Sequence, residues 1–510
     1  MIRARSHSSL LASAAFLTAA FQVNAAPQIE QGIQFGDVAS GRAIVWSRSS
    51  EASRMMVQYS YDASFAEPVT VRGPYATPES DFTAKLDLTG LKRDRDVYVK
   101  VWFEGLTNAR EKSEVVSGKF HSVGRHEDIH FVWGGDTAGQ GWGINEAFGG
   151  MKIYETMRQE EPQFFIHSGD NIYADGPIPL TANAPESGAP WVNLVTPEVS
   201  KVAEELNEFR GRYRYNLMDE NLRRFNAEVA GIPQWDDHEV VNNWSDAKSL
   251  DNDPRYTEKN VPLLVSRATQ AFLEYAPIRP HGAEESERVY RKLSYEDLLE
   301  VYVLDMRSYR GPNTDNLQTE ESAETAFLGN EQISWLLSQL ANSKATWKVI
   351  AADMPVGLNV GDGSLWEAIA NGNDGRPLGR ELEFARLLRG IKKAKVHNVV
   401  WLTADVHYTA AHFYHPRSAA FKNFLPFWEF VAGPLNAGSF GPNTKDKTFG
   451  IEVDFEKGPS TEGLPANTSP YAGLQFYGAV HINRGNGVMR VDLKDINGDV
   501  VYSNKLTPIR

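Results

Sequence analysis

Phe164-Phe-Ile-His-Ser-Gly-Asp-Asn-Ile-Tyr-Ala-Asp175 is the stretch of sequence that decides the fold. The apolar run at its start predicts a buried strand, and Gly169-Asp170 followed by Tyr173 predicts a turn that carries oxygen ligands. In mixed α/β proteins, ligands bind beyond the carboxyl ends of the strands. The segment therefore predicts a metal-binding carboxylate, Asp170, at a strand end.

Three more segments share this design, with an acidic residue after an apolar run: Trp133-Gly-Gly-Asp136, Trp235-Asp-Asp-His-Glu239 and Ala404-Asp-Val-His407. Each is weak when taken alone, because Gly-Asp pairs are common in turns and alternating polar residues are common on solvated strands. The adjacent charges of Asp236 and Asp237 are costly unless a cation or a positive dipole compensates them. The coincidence of four such ends in one chain predicts a shared site.

The composition is ordinary for a globular protein, and the chain is long enough for more than one domain. The chain has 510 residues, a formal net charge of −14 and no cysteine. An acidic surface disfavours binding to nucleic acid and to anionic membranes, which requires clustered Lys and Arg. Disulfides, thiolate nucleophiles and zinc–thiolate sites are excluded. A small anionic substrate is compatible with this charge if bound cations reverse its sign locally.

Residues 1–25 are predicted to be a secretory signal. Arg3 and Arg5 precede the apolar stretch Leu10–Val23, and Val23-Asn-Ala25 offers a small-residue cleavage site. The apolar stretch is short for a membrane span and is diluted by Ser and Thr. A buried N-terminal helix is the alternative, which the following proline and polar residues disfavour. We therefore expect export to the periplasm or the medium, without a membrane anchor.

The remaining chain divides into two regions of different hydrophobic pattern. Residues 27–123 alternate with a period of two, as in Val97-Tyr-Val-Lys-Val-Trp-Phe103, which predicts an all-β sandwich. Within it, Leu88-Thr-Gly-Leu91 followed by Tyr98 resembles the turn and tyrosine corner of fibronectin type III domains. Residues 128–510 alternate apolar strands with helical stretches, which predicts a mixed α/β domain.

Periodicity places the main elements of the second region. The predicted helices are Glu146–Glu160, Lys201–Tyr213, Val265–Tyr275, Gly329–Asn342 and Arg380–Lys393. The predicted strands are Leu299–Leu304, Trp347–Ala351, Asn398–Leu402, Val488–Leu493 and Asp499–Tyr502. The last two flank Asn497-Gly498, a strong signal for a two-residue hairpin.

The acidic strand ends suit the hydrolysis of a phosphate ester. Two metal ions about 3.5–4 Å apart can neutralise the phosphate oxygens and lower the pKa of a shared water towards about 7. Asp170 is the expected bridge between the ions. Asp136 and Tyr173 would complete the shell of one ion, with Asp405 or His407 arriving from the far strand.

The second ion is expected to draw on the block that begins at Asp236, where Asp237 and Asn242 offer oxygen ligands. His238 is expected to face the leaving group, either as an acid or as a hydrogen-bond donor to the oxygens on the pentavalent phosphorus. The block therefore predicts both a metal shell and a proton donor.

Arg307 and Arg310 follow another apolar strand, and either can clamp a phosphate. An ion pair with Asp305, or a structural role, is the alternative. Asp353, at a fifth strand end, is expected either in the metal shell or in a turn. Packing or surface positions are expected for His167, His412 and His415.

These motifs resemble the PhoD-like alkaline phosphatases of the calcineurin-like metallophosphoesterase superfamily. The matching segments, spread over nearly the whole chain after the signal, are Gly169–Tyr173, Trp235–Trp244, Leu304–Arg310 and Ala404–His407. The resemblance implies an α/β/β/α catalytic sandwich behind the N-terminal sandwich. It also implies an exported alkaline phosphatase that hydrolyses phosphomonoesters and phosphodiesters.

The resemblance further implies that Asp170 bridges the metals and that Tyr173 is a phenolate ligand. Asp405 and His407 would also be ligands. Asn242 or Asp237 would serve the second site, and His238 would stand near the leaving group. Iron with calcium is a known metal content of the family, so at least two ions, Ca²⁺ and Fe³⁺, are expected. Some members carry a cysteine where this chain offers Asp136, which leaves Mn²⁺ or Zn²⁺ as alternatives. Many members carry a twin-arginine signal, which Arg3-Ala-Arg5 interrupts.

Two other functions use the same residues differently. A phosphodiesterase or phospholipase D-type enzyme would act at the same centre on a bulkier ester. A non-catalytic extracellular binding protein would hold metals only as structural props and would have little use for His238. In the enzymatic alternatives the partner is a small-molecule phosphate ester.

Overall fold

The computed structural model describes residues 26–39, 41–245, 247–282 and 284–509. The signal predicted at residues 1–25 lies outside the described residues. Within these ranges, no helix is both long enough and apolar enough to cross a lipid bilayer.

The N-terminal region is built from strands in two layers. Its strands are β1 (Ile33–Ala39), β2 (Arg42–Arg48), β3 (Ser53–Ser60), β4 (Val69–Ala76), β5 (Thr83–Leu88), β6 (Arg95–Gly105) and β7 (Val116–Ser122). One layer contains β1, β2 and β5, and the other is the four-stranded sheet β4-β3-β6-β7. Along β6, Val97, Val99, Val101 and Phe103 are buried and the residues between them are partly exposed, because successive side chains point to opposite faces.

The corner after β5 is held by a different tyrosine from the predicted one. The backbone N–H of Lys92 donates to the hydroxyl of Tyr61 at 2.9 Å. The Lys92 ammonium also lies over the Tyr61 ring, 4.9 Å from its centroid. The prediction of a tyrosine corner at Tyr98 is therefore wrong in its residue, because Tyr61, at the end of β3, occupies that corner.

The second region contributes the remaining strands and the helices. The strands are β8 (Ile129–Gly134), β9 (Phe164–Ser168), β10 (Thr181–Ala182), β11 (Trp191–Val192), β12 (Ala230–Gln234), β13 (Arg291–Tyr295), β14 (Leu299–Val303), β15 (Trp347–Ala351), β16 (Gly361–Asp362), β17 (Leu365–Trp366), β18 (Val399–Thr403), β19 (Thr409–Tyr414), β20 (Phe427–Val431), β21 (Ile451–Lys457), β22 (Phe476–Ile482), β23 (Met489–Asp495) and β24 (Val500–Leu506). The helices are α1 (Lys152–Gln159), α2 (Leu206–Asn216), α3 (Glu220–Glu228), α4 (Val261–Tyr275), α5 (Asn330–Asn342) and α6 (Arg380–Lys393).

Two large mixed sheets pack face to face between two layers of helices. The nine-stranded sheet has the order β24-β23-β22-β8-β9-β12-β1-β2-β5, and the seven-stranded sheet has the order β13-β14-β15-β18-β20-β19-β21. Phe131 and Val349 belong to the core between the sheets. Val132 faces the other way, towards α1 to α4, and Ile350 faces α5 and α6. Because both faces of these strands are covered, the strands are continuously apolar in sequence.

The N-terminal region and the α/β region share one continuous sheet. Strand β1 pairs in parallel with β12, with Gly36 opposite Gly231. A Cβ atom on Gly36 would lie 2.2 Å from the carbonyl oxygen of Pro277, so this close approach requires glycine. The sheet therefore runs across the boundary predicted near residue 123.

Helix positions match the sequence pattern unevenly. A helix is predicted from Glu146, but Gly149 and Gly150 have φ of 99° and 71°, and α1 begins only at Lys152. Backbone in this left-handed region cannot belong to a right-handed helix. Helix α2 begins and ends later than predicted, α3 is missed by the pattern, and α6 has the predicted bounds.

Glu381, in the first turn of α6, makes stability depend on pH. Desolvation, reinforced by Asp446, raises the pKa of Glu381 to about 9. The folded chain thus keeps a proton that the unfolded chain releases above about pH 4.3, and stability falls by up to about 1.4 kcal/mol per pH unit between those values. We expect Glu381→Gln, which stays neutral, to raise the Tm at pH 9 and to change it much less at pH 5, as measured by scanning calorimetry.

The matched control for this prediction is Glu324→Gln, at an exposed position. It should leave the difference between the two Tm values unchanged. If Glu381→Gln shifts the Tm equally at pH 5 and pH 9, the buried proton at Glu381 does not exist.

Candidate metal centre

Four carboxylates stand directly beyond the carboxyl ends of strands. Asp136, Asp170 and Asp237 follow β8, β9 and β12, which are neighbours in the nine-stranded sheet, and Asp405 follows β18 of the facing sheet. The φ angles of Asp136, Asp170 and Asp405 are 70°, 52° and 64°. Each of these left-handed residues costs about 1–2 kcal/mol. Strain of this kind clusters at functional sites, where the surrounding structure must hold it in place.

Asp136, Asp170 and His407 form one buried ligand group, with ligand atoms within 4.8 Å of one another. Neither carboxylate oxygen of Asp136 has a hydrogen-bond partner in the described part of the chain. The Nδ1 atom of His407 lies 2.5 Å from the carbonyl oxygen of Gly438, which places the proton on Nδ1 and a lone pair on Nε2. The Tyr173 hydroxyl lies 2.9 Å from that Nε2. The group thus presents carboxylate, phenol and imidazole donors to one point.

Asp170 also belongs to a second group, with Asp237 and His238, and Asp237 is grouped in turn with Asp236 and Asp405. Among the residues that the structure describes, Oδ1 of Asp237 and Oδ2 of Asp405 are buried without a hydrogen-bond partner. Because Asp170 is common to the first and second groups, it has the position expected of a bridging ligand.

The carboxylates of the centre crowd one another away from water. Desolvation, opposed by His238 and reinforced by neighbouring carboxylates, raises the pKa of Asp136 and of Asp170 well above the ordinary range. Desolvation and the charges of Asp170 and Asp136 also raise the pKa of Tyr173. Buried charges of one sign are unfavourable unless a cation compensates them. These orphaned oxygens, together with the Nε2 lone pair of His407, therefore fit bound metal ions.

His238 is oriented by Asp175, a carboxylate to which the sequence assigns no role beyond closing the Gly-Asp segment. Its Nδ1 lies 2.6 Å from Oδ1 of Asp175, and the ring packs on Tyr173 with 4.3 Å between centroids. Desolvation lowers the pKa of His238, but Asp175, Asp237 and Asp170 outweigh it and raise the pKa well above its ordinary value. The imidazole is thus held as a proton donor beside the centre.

Asn242 is exposed, and its hydrogen bond runs from the backbone N–H to Oδ2 of Asp175 at 3.0 Å. The next residue, Asn243, donates its backbone N–H to Asp237 at 2.5 Å. The ligand role of the Asn242 side chain stays a prediction, whereas the backbone of this turn clearly positions two carboxylates.

Arg307 is buried in ion pairs. Its Nε donates to Asp236 at 2.6 Å and to Asp353 at 3.3 Å, and its Nη1 donates to Glu367. The side chains of Arg307 and Asp236 are 0% exposed. The guanidinium is enclosed by carboxylates and compensates the charge next to Asp237, which favours the predicted structural role of Arg307 over the predicted phosphate clamp. Asp353 is one of its partners.

Arg310 is buried in the same network, where its Nη1 donates to Glu367 at 2.8 Å. Asp305, the predicted alternative partner, instead accepts the backbone N–H groups of Arg307 and Ser308 at 3.0 and 2.9 Å. Glu367 follows a short hairpin and has no sequence signal that would connect it with either arginine.

Arg307→Ala is expected to lower the free energy of unfolding by about 3–5 kcal/mol, because it leaves buried carboxylates unpaired. Urea or thermal unfolding of the purified variant measures this loss. Arg224→Ala, which removes a half-exposed partner of the exposed Glu220, should cost less than about 1 kcal/mol. If Arg307→Ala leaves the stability unchanged and only raises KM, the result would contradict this prediction and would favour a phosphate clamp at Arg307.

Glu239 connects two loops of the centre, a role that its place in the Asp-Asp-His-Glu block could have suggested. It accepts the backbone N–H of Asp236 and the side-chain amide of Asn171, both at 2.8 Å. The loops after β9 and β12 are therefore held at a fixed separation.

The remaining predicted histidines lie outside the ligand groups. His167 Nε2 lies 3.0 Å from the Thr137 hydroxyl, and His412 Nδ1 lies 3.0 Å from Glu429. His415 lies just after β19, where its Nδ1 accepts the Arg417 backbone N–H at 3.0 Å. All three occupy packing or surface positions, as predicted.

Comparison with known proteins finds relatives along the chain. The family described as PhoD-like phosphatase matches residues 131–493, and its N-terminal domain matches residues 15–123. Alkaline phosphatase D of Bacillus subtilis (strain 168) is 26% identical over 456 residues, which cover 84% of this chain and 74% of that protein.

Two solved structures are similar in fold. The first, described as "Structure of PhoD", aligns with a TM-score of 0.70 at 20% identity and covers 96% of this chain and 94% of its own. The second, purple acid phosphatase PPD1 from yellow lupin (Lupinus luteus) seeds, aligns with a TM-score of 0.58 at 14% identity and covers 95% of this chain and 74% of its own.

Proposed function

The chain belongs to the PhoD-like phosphatase family, and we propose that it is an exported, metal-dependent phosphoesterase that hydrolyses phosphomonoesters. Family membership makes the protein a phosphoesterase hydrolase, which disfavours the non-catalytic binding protein. The observation that carries the proposal is the pair of buried ligand groups joined at Asp170, with carboxylate oxygens that have no partner within the described ranges.

At least two metal ions are proposed for this centre. The side chains proposed to hold them are Asp136, Asp170, Tyr173, Asp237, Asn242, Asp405 and His407. Bound ions would supply charge neutralisation for the phosphate and would make water more acidic. Oxygen-rich donors favour Ca²⁺, and a tyrosinate favours Fe³⁺, with Mn²⁺ or Zn²⁺ as alternatives in a chain without cysteine.

His238 is proposed to assist the leaving group. Its protonated imidazole, held by Asp175, would donate a hydrogen bond or a proton to the oxygen that departs from phosphorus. Arg307 is proposed to act indirectly. It compensates the charge of Asp236 and, against desolvation, helps His238 to lower the pKa of Asp237, so that Asp237 stays ionised as a ligand.

The proposed organisation is a signal at residues 1–25, an N-terminal domain at residues 27–123 and a catalytic domain at residues 128–510. The composition of residues 1–25 supports export to the periplasm or the medium. The packing of β1, β2 and β5 against β4-β3-β6-β7 supports a fibronectin type III-like sandwich.

A phosphodiesterase is the second candidate. After β22 the described chain contains strands and turns but no helix, which supports a centre without a C-terminal helical lid and with room for a bulkier ester. We therefore propose a small-molecule phosphate ester as substrate and leave the number of ester bonds to experiment.

The decisive experiment compares a mono-aryl phosphate with a bis-aryl phosphate, each with metals supplied and after chelation. Faster release from the monoester, abolished by the chelator, is expected. Faster release from the diester would favour the phosphodiesterase. Failure to hydrolyse either ester with every metal supplied would sink the proposed function.

A further inference from the structure

A second cluster of metal-ligand side chains lies at the opposite end of β8 from the centre. His130 on β8 stands directly across from His481 on β22, and Glu160 lies at the end of α1. His130 precedes Asp136 by six residues of a strand and its turn, so the two clusters are separated by about 20 Å. The second cluster is therefore independent of the phosphoesterase centre.

The three side chains lie next to one another. The rings of His130 and His481 are stacked with 3.9 Å between centroids and 15° between planes. His130 Nε2 lies 3.6 Å from Oε2 of Glu160, and ligand atoms of all three residues lie within 4.8 Å of one another. Two ligands bound at about 2.0–2.1 Å to a tetrahedral ion are separated by roughly 3.4 Å. Because the two rings are nearly parallel, their in-plane lone pairs do not meet at one point, and at least one imidazole must rotate about its Cβ–Cγ bond before both can bind the same ion.

The donor atoms are available to an ion. Within the described part of the chain, His130 Nε2 is shielded from water and has no hydrogen-bond partner. Glu160 uses its other oxygen, Oε1, to accept the Lys494 ammonium at 2.7 Å and the Tyr477 hydroxyl. These bonds hold the carboxylate in place and leave Oε2 facing the histidines. The side chains of His130 and Glu160 are 18% and 16% exposed, so an ion can enter from solvent.

Two nearby cations lower the affinity of this cluster for a metal ion but do not prevent an ion from binding. Lys494 lies on the far oxygen of Glu160, and Arg490, opposite His481 on β23, is paired with Asp492 at 2.8 Å. Asp492 compensates Arg490, whereas Lys494 offsets the charge of Glu160 itself, so the two imidazoles supply most of the attraction for an ion. Such a donor set selects imidazole-binding transition metals over Ca²⁺ or Mg²⁺, which prefer oxygen.

We propose that His130, His481 and Glu160 form a second, separate Zn²⁺ site that links β8, β22 and α1. Three protein ligands leave a fourth position for water. The ion cross-links two adjacent strands and the helix that covers them, so it stabilises the folded protein and leaves the chemistry of the distant centre unchanged.

The test is a Zn²⁺ titration of the full chain, already loaded with the metals of its phosphoesterase centre, by calorimetry. The parent is expected to bind one more equivalent than His481→Phe, which keeps a stacked ring but removes the nitrogen ligands. Zn²⁺ in excess should raise the Tm of the parent by about 2 °C and should not raise that of the variant. Aryl phosphate hydrolysis should be the same in both.

Glu160→Gln provides a second variant in case His481→Phe fails to fold, and it should weaken Zn²⁺ binding at least 10-fold. His126→Ala, which removes an exposed histidine between β7 and β8, is the matched control and should keep the extra equivalent. Equal Zn²⁺ stoichiometry in the parent and in folded His481→Phe, or parental Zn²⁺ affinity in Glu160→Gln, would overturn the site. That result would leave the proposed phosphoesterase function untouched.

Discussion

Asp170→Asn is expected to lower the rate of aryl phosphate hydrolysis at alkaline pH by about 10³-fold or more. Metal ions in such centres contribute several kcal/mol to transition-state stabilisation, and each 1.36 kcal/mol is a factor of ten in rate. Asp170 is common to the group that contains Asp136 and to the group that contains His238, so its loss weakens both ion sites at once. Initial rates and the metal content of the purified variant measure the effect.

The same substitution has an opposite effect on metal-free protein. Because burial raises the pKa of Asp170, ionising it in the metal-free protein costs stability as the pH rises, so metal-free Asp170→Asn should unfold at a higher temperature than the metal-free parent at alkaline pH. Asp251→Asn, at an exposed position, is the matched control and should change neither rate nor Tm. Parental activity in a folded Asp170→Asn protein would refute the proposed function.

His238→Ala is expected to lower kcat by about 10²–10⁴-fold for alkyl phosphates. The loss should be smaller for aryl phosphates with good leaving groups, because their departing oxygen needs less protonation. A series of esters that differ only in the leaving group, measured at saturating substrate, gives this dependence. Asp175→Asn should show the same trend with a smaller loss of about 10–100-fold, since it disturbs only the orientation and charge of the ring.

The leaving-group dependence distinguishes the two roles considered for His238. A loss of equal size for every ester would contradict proton donation and would favour a hydrogen bond to the phosphorus-bound oxygens. His126→Ala again serves as the histidine control and should leave kcat unchanged for the whole series.

Sequence alone locates the carboxylates of the centre because the signal is local. An apolar run followed by an acidic residue marks a strand end at Asp136, Asp170 and Asp405, and facing strand ends then lie close together. The orientation of the Arg307 side chain is not set by its sequence neighbours, because it depends on ion pairs with Asp236 and Glu367, which lie in distant segments. An arginine after a strand has the same sequence pattern whether its guanidinium binds a phosphate or a buried carboxylate.

The fold shows the same division between local and distant causes. Strong periodicity predicts the buried face of β6 and the bounds of α6. The late start of α1 depends on the backbone of Gly149 and Gly150, which a hydrophobic pattern does not record. The pairing of β1 with β12 rests on two glycines that are far apart in sequence, so no window of residues contains it.

That pairing also bears on the order in which the protein assembles. Strand β1 is synthesised long before β12, so its parallel edge must wait for a partner that arrives late. Once paired, β1 covers the flank of β12, whose N–H and C=O groups would otherwise form an open edge that invites pairing with another chain. The N-terminal region is thus expected to reduce aggregation by covering this edge. Because the two parts of the chain share one sheet, they are also expected to unfold together.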